Sequence, residues 1–269
     1  MGEIVFGLKG VNFSYLGKFP ALREVDMDIP AGKKITVIGA NGSGKSTLLQ
    51  MLDGLIFPQS GSLRAFGREL KESVFNDEAF SLEFRKKVGF VFQNPDVQLF
   101  CPTVKEDILF GPLQLGLDKA RIGKALEDIT GLLEIGDLLG RAPYQLSIGE
   151  KRKVAIASTL ILDPEVLILD EPTAGLDPLT TRHIIDLLIH DNLAGKTIIT
   201  STHDLHIVEE ISDLVYVFSH EKKMIKSAGP DEILSDLQLL KDNNLLHIHG
   251  HAHDGKIHVH PHLHIDHHH

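Results

Sequence analysis

Residues 39–47 read GANGSGKST, a glycine-rich turn closed by a lysine and two hydroxyls. The apolar run ITVI precedes it and the helix-forming run LLQML follows it, so the turn joins a buried strand to a helix. Gly39, Gly42 and Gly44, with Asn41 and Ser43 between them, let backbone N–H groups converge on an anion without Cβ clashes. Lys45 can reach the outer phosphates of a nucleotide, Ser46 can ligate Mg2+, and Thr47 completes the motif at the helix start. Further on, VLILDE (166–171) is an apolar strand ending in two carboxylates. Asp170 is suited to the metal and Glu171 to an attacking water. A carboxylate pair at a strand end can also merely cap the next segment, but beside a phosphate-binding turn it points to nucleotide hydrolysis.

Such groups need a scaffold. Apolar strands are expected at 33–39, 88–92, 166–170, 197–200 and 214–218, with helices at 45–55, 104–110, 118–133, 149–162, 179–192 and 205–212. Continuous apolar strands alternating with helices predict a mostly parallel sheet covered on both faces. Residues 4–13 and 22–29 read as two strands flanking a loop, YLGKFPA, and a short helix is expected from 231 to about 240, broken by KDNN. Between Gln93 and Ser147 the strand signal gives way to helical periodicity, which predicts an inserted helical subdomain at about 94–148. A net charge of −10 argues against a nucleic-acid partner. The single cysteine, Cys101, excludes an internal disulfide, fits a reducing compartment, and reads as a small apolar residue rather than a nucleophile. No secretory signal and no bilayer-spanning apolar run is expected, so work at a membrane would need a partner.

The segment LSIGE (146–150) precedes KRKVAIASTLILDPEVLILDEPTAGLDP, and here the sequence resembles the ATP-binding subunit of an ABC transporter. The resemblance runs through residues 3–240 and rests on several motifs in the family's order. It implies an α/β fold: a P-loop NTPase core with a mostly parallel sheet, an antiparallel β subdomain, and an inserted helical subdomain. The nucleotide-binding domain would span 1–240 and a histidine-rich tail 241–269. By the same resemblance Tyr15 is the aromatic that stacks on adenine, although in FSY it also reads as a strand aromatic. Gln93 lies between the nucleotide site and the transmembrane partner and joins Ser46 and Asp170 around Mg2+. Ala174-Gly-Leu-Asp177 crosses a dimer interface, and His203 is the switch histidine at the γ-phosphate, so the implied catalytic set is Glu171, His203 and Gln93.

The family's signature is usually Leu-Ser-Gly-Gly-Gln, and this chain departs from it with Ile148 and Glu150. Ser147 and Gly149 keep backbone N–H groups at a helix start that can bind phosphate, while Glu150 adds negative charge near another anion. The resemblance implies ATP and Mg2+ as ligands and a second ATPase copy, identical or paired, to complete each site. Residues 88–112, with NPDVQLF and EDI followed by FGP, resemble energy-coupling-factor importers. That implies transmembrane coupling and substrate-binding subunits, a place on the cytoplasmic face of the membrane, and cobalt, nickel or vitamin cargo. Leu99, Phe100 and Phe110 are expected to contact the membrane partner, or the two aromatics to be core of the helical subdomain, and Asp96, Glu106 and Asp107 to pair with the partner's basic residues. The alternative is a soluble ABC ATPase that drives no transport.

Eleven of the sixteen histidines fall in 247–269. His247, His249, His251 and His253 alternate with small and apolar residues, and His258, His260, His262 and His264 alternate likewise. Alternation puts each set on one face of an extended chain, and Asp254-Gly255 is a two-residue hairpin signal. The turn would pair His251 with His258, His249 with His260 and His247 with His262, although Pro261 weakens the ladder. Neutral imidazoles suit Ni2+ or Co2+. A tag remnant on a native tail and a merely solvated tail are the other readings.

Overall fold

The computed structural model describes residues 3–193, 195–253 and 256–262. In chain order the elements are β1 (Ile4–Tyr15), β2 (Phe19–Pro30), β3 (Lys34–Gly39), α1 (Lys45–Leu52), β4 (Ser60–Ala65), β5 (Arg68–Glu69), α2 (Glu78–Lys87), β6 (Val88–Val91), α3 (Val104–Gln114), α4 (Lys119–Leu132) and α5 (Ile148–Leu160). They continue with β7 (Val166–Asp170), α6 (Pro178–Leu193), β8 (Thr197–Thr202), α7 (Leu205–Ile211), β9 (Leu214–Phe218), β10 (Met224–Ala228), α8 (Pro230–Ser235), α9 (Leu237–Asp242), β11 (His247–His253) and β12 (Lys256–His262).

The core is a six-stranded sheet in the order β10-β9-β3-β8-β7-β6, parallel except for β10. β7 and β8 are buried along their whole length, which is why their sequences read as apolar or hydroxyl runs, broken only by Asp170 at the end of β7. A second sheet, β2-β1-β4-β5, is antiparallel. The α/β class with parallel core and antiparallel subdomain is therefore the one expected. α3, α4 and α5 pack into a separate apolar cluster around Ile108, Ile129, Leu133 and Ile156.

Several elements differ from the sequence reading. β1 and β2 run to Tyr15 and from Phe19, so the expected loop is a tight turn in which Leu16 and Gly17 both take positive φ. β4, β5, α2 and β10 were not expected. α2 is polar and buries only Phe80 and Phe84, and its start is fixed by the Asp77 carboxylate accepting from the N–H groups of Ala79 and Phe80. At Gly61, the second residue of β4, a Cβ would lie 2.4 Å from the Gly10 carbonyl oxygen. α3 runs through Pro112 to Gln114 rather than ending at 110. The single helix expected at 231–240 is two, because Asp236 caps α9 by accepting from Leu239 N–H at 3.0 Å. Packing continues past α9, with Leu245 and Leu246 buried against Ile38, Val217 and Ile233. No helix among the described residues is long and apolar enough to cross a membrane.

Candidate nucleotide site

In a parallel sheet the carboxyl ends of neighbouring strands open into one crevice, and ligands bind there. Here β3 ends at Gly39 before the glycine-rich turn, β6 leads to Gln93, β7 to Asp170 and Glu171, and β8 to His203. The register β3-β8-β7-β6 places these four ends side by side. A cavity of about 470 Å³ lies at this edge, lined by Tyr15, the turn from Asn41 to Thr47, Gln93 and Glu171 among others. A second cavity of about 330 Å³, beside Asp163 and Lys196, opens near the opposite ends of β7 and β8.

The turn is built for an anion. Gly44 has φ 108°, and a Cβ there would lie 2.3 Å from the Ala21 carbonyl oxygen, so only glycine fits. Ser43 Oγ is buried with no hydrogen-bond partner among the described residues, an orphan donor at the cavity that a phosphate oxygen would satisfy. Lys45 is buried, donates from Nζ to the Gly39 carbonyl at 2.7 Å, and lies 3.4 Å from Glu171 Oε1. Tyr15 lines the cavity mouth, meets Phe13 edge to face at 5.1 Å, and hydrogen-bonds through its hydroxyl with Thr47 Oγ1 at 3.2 Å.

Glu171 holds a left-handed backbone (φ 47°), uncommon for a residue with a Cβ. Its N–H donates to both the carbonyl and the Oγ of Ser201, each at 3.1 Å, and these bonds hold the strained residue in place. Glu171 Oε2 lies 3.0 Å from His203 Nδ1. Asp170 Oδ1 accepts from Ser201 Oγ at 2.5 Å. Lys45, Glu171 and His203 thus form one chain of contacts with Asp170 adjacent, and the set can offset phosphate charge and polarise water. The Ser46 hydroxyl, the Gln93 amide oxygen and the Asp170 carboxylate are hard oxygen donors of the kind Mg2+ takes.

The signature residues Ser147, Gly149 and Glu150 are not among those lining the cavity. They start α5, where Ser147 Oγ accepts from Glu150 N–H at 3.2 Å and Glu150 Oε2 accepts from Ser147 N–H at 2.7 Å. The Ser147 N–H expected to meet phosphate is therefore engaged by Glu150. That bond, above all, holds the Glu150 carboxyl below its ordinary value. A Cβ on Gly149 would meet Thr180 Oγ1 at 3.3 Å, so glycine lets α6 approach closely.

Sequence reasoning missed Arg152. It is 2% exposed and donates to the carbonyls of Phe92 at 2.7 Å and Gln93 at 2.6 Å, tying α5 to the segment carrying Gln93. The sign was an arginine in the otherwise apolar, small-residue helix RKVAIAS. On the neighbouring surface, Phe100 and Phe110 meet edge to face at 4.9 Å and are both exposed. Leu99, expected there, is buried in the helical core. Asp107 is not free for a partner either, since its buried carboxylate accepts from the N–H groups of Phe100 and Cys101. Asp96 pairs with Lys151 at 2.7 Å, and Glu106 closes the capping box of α3. Burial first and Asp107 second push the Cys101 thiol up to about 11, which makes it a poor nucleophile.

The β11–β12 backbone register pairs His247 with His262, His249 with His260 and His251 with His258, the pairing expected from the alternation. The expected turn residues Asp254 and Gly255 lie outside the described residues.

A family model described as ABC transporter matches residues 22–174. Nickel import ATP-binding protein NikO of Rhodobacter capsulatus is 51% identical over 245 residues, 90% of this chain and 95% of its own. Energy-coupling factor transporter ATP-binding protein EcfA of Methanocaldococcus jannaschii is 40% identical over 237 residues, 88% of this chain and 83% of its own. Among solved structures, cbiO1 of Clostridium perfringens, part of the ABC transporter complex cbiONQ, is similar with TM-score 0.76 at 34% identity, covering 90% of this chain and 95% of that one. A match over more than half of the chain, on a fold that brings the glycine-rich turn, Gln93, Glu171 and His203 to one sheet edge, means that the chain belongs to the ABC transporter family, as an ATP-binding subunit that hydrolyses ATP.

Proposed function

We propose that two ATPase subunits, two copies of this chain or this chain and a paired one, close on ATP and power import of nickel or cobalt through an energy-coupling-factor transporter. The observation that carries the dimer is the separation within one chain: the glycine-rich turn, Gln93 and Glu171 share a cavity that Ser147, Gly149 and Glu150 do not line. Each ATP would lie between one subunit's turn and the other's Ser147–Glu150 segment. Tyr15 packs on the adenine, Lys45 and the N–H groups of the turn hold the phosphates, and His203 orients the γ-phosphate. Glu171 polarises the attacking water, which Lys45 and His203 position it to do. Ser46, Gln93 and Asp170 would hold Mg2+, which supplies charge neutralisation of the phosphates. Transmembrane and substrate-binding subunits would dock over the exposed Phe100–Phe110 pair, keeping the chain peripheral on the cytoplasmic face.

The metal cargo is supported by the relative named for nickel import and by the paired histidines of the β11–β12 register, whose neutral imidazoles would take Ni2+ or Co2+. A vitamin importer of the same class is the second reading, favoured by the likeness to an energy-coupling factor subunit whose name specifies no cargo. Uptake of labelled Ni2+, Co2+ and vitamins by cells bearing the whole transporter, with wild-type or E171Q subunit, tests both. Metal uptake abolished by E171Q supports the proposal; vitamin uptake without metal uptake refutes the cargo. Titration of the full chain and of a chain ending at Leu246 with Ni2+ tests the tail, and equal binding by the two removes it.

A further inference from the structure

The turn between β9 and β10 brings a lysine to the nucleotide cavity from a strand pair that carries none of the motifs. Lys222 lines the cavity together with Tyr15, Phe19 and the glycine-rich turn, and its Nζ donates to the Gly42 carbonyl oxygen. Its backbone is held at φ 68°, a left-handed conformation in which glycine would be less strained than lysine. The turn is fixed on several sides. Lys222 N–H donates to the Ser219 carbonyl at 3.1 Å, and Ser219 N–H to the Lys223 carbonyl at 3.0 Å. On β2, Arg23 N–H donates to the Lys222 carbonyl at 2.9 Å and Glu24 pairs with Lys223 at 3.0 Å. A strained backbone held this firmly at a ligand cavity suggests that the side chain, rather than the turn, is what the position serves.

Charge points the same way. Lys45 faces Glu171 at 3.4 Å, and the buried Arg152 is opposed by Asp170 and Glu171. Two cations and two carboxylates leave this edge close to neutral, a poor environment for a polyphosphate. Lys222 is the cation that tips the balance, and its flexible stem lets the ammonium exchange a carbonyl for a phosphate oxygen.

We propose that Lys222 is a second phosphate-contacting lysine of the nucleotide site, supplied by the β9–β10 turn. This rests on reading the cavity as the nucleotide site. The test measures binding of ADP, AMP and adenosine to the full chain and to K222G, K222R and K223A. Glycine suits the turn, so K222G removes the ammonium without straining the backbone. K222G should weaken ADP binding about two- to fivefold at low salt, the size of one partly solvated charge contact, with a smaller effect at high salt. Adenosine binding should be unchanged in K222G, ADP binding retained by K222R, and K223A should match wild type. Wild-type ADP affinity in K222G, equal losses in K222G and K223A, or a parallel loss of adenosine binding would overturn the proposal. A wild-type chain that binds none of the three would instead overturn the nucleotide-site reading itself.

Discussion

Replacing Arg152 by methionine keeps an unbranched side chain of similar length and removes the charge. The guanidinium makes two hydrogen bonds to main-chain carbonyls, at 2.7 and 2.6 Å, from a side chain only 2% exposed. Bonds from a charged donor are worth about 1.5–3 kcal/mol each, and R152M forfeits both. Part of that loss is returned. Burial draws the guanidinium below its ordinary value and Nε has no partner among the described residues, so methionine relieves a desolvation cost. Asp170 and Glu171, which counter that burial effect, lose a compensating charge. The net expectation is a destabilisation of about 2–4 kcal/mol. Freed carbonyls at Phe92 and Gln93 should also loosen Gln93 at the cavity, lowering kcat by about tenfold or more. Urea denaturation and steady-state ATP hydrolysis measure the two effects, and R152K, which keeps one charged donor, should fall between. R152M with stability within about 0.5 kcal/mol of wild type and unchanged kcat would refute the argument.

Two further outcomes follow from the charges. Burial pushes the Asp53 carboxyl up from 3.8 to about 7, against the opposing pull of Arg85. Between those values the folded chain holds a proton that the unfolded chain has lost, so stability falls as pH rises through that window. D53N should abolish this slope, gaining about 1–4 kcal/mol on wild type between pH 4 and pH 8 in denaturation curves; parallel pH profiles would contradict it. E150Q keeps an oxygen acceptor for Ser147 N–H and drops the negative charge, so KM for ATP should fall several-fold, about the size of one like-charge repulsion. An unchanged KM would mean that the Glu150 charge never faces phosphate.

The sequence made the site legible wherever function lies in consecutive residues. GANGSGKST, VLILDE and LSIGE carry their own strand or helix context, so their placement at strand ends and at a helix start could be read directly. The β11–β12 register was legible for a similar reason, because a period of two leaves few ways to pair the histidines. What stayed hidden acts across the fold. Arg152 reaches carbonyls about sixty residues away, Ser201 holds Asp170 and Glu171 from the adjoining strand, and Lys222 meets Gly42 from the other end of the chain. Asp107 and Leu99 show the converse error. Their types suit a docking surface, but the fold turns both inward, where Asp107 satisfies two N–H groups that burial would otherwise leave unpaired. α2 was missed because two phenylalanines are too few to mark an apolar stripe.

The separation of Ser147, Gly149 and Glu150 from the cavity makes two ATPase subunits the requirement on which the proposed mechanism depends. The most direct test measures ATP hydrolysis per mole of chain as concentration is raised, with the mass in solution followed in parallel using E171Q and MgATP. The expected result is a specific activity that climbs with concentration and an E171Q species near twice the 29.7 kDa chain in MgATP. Constant specific activity from a chain that remains at 29.7 kDa would contradict the two-copy site.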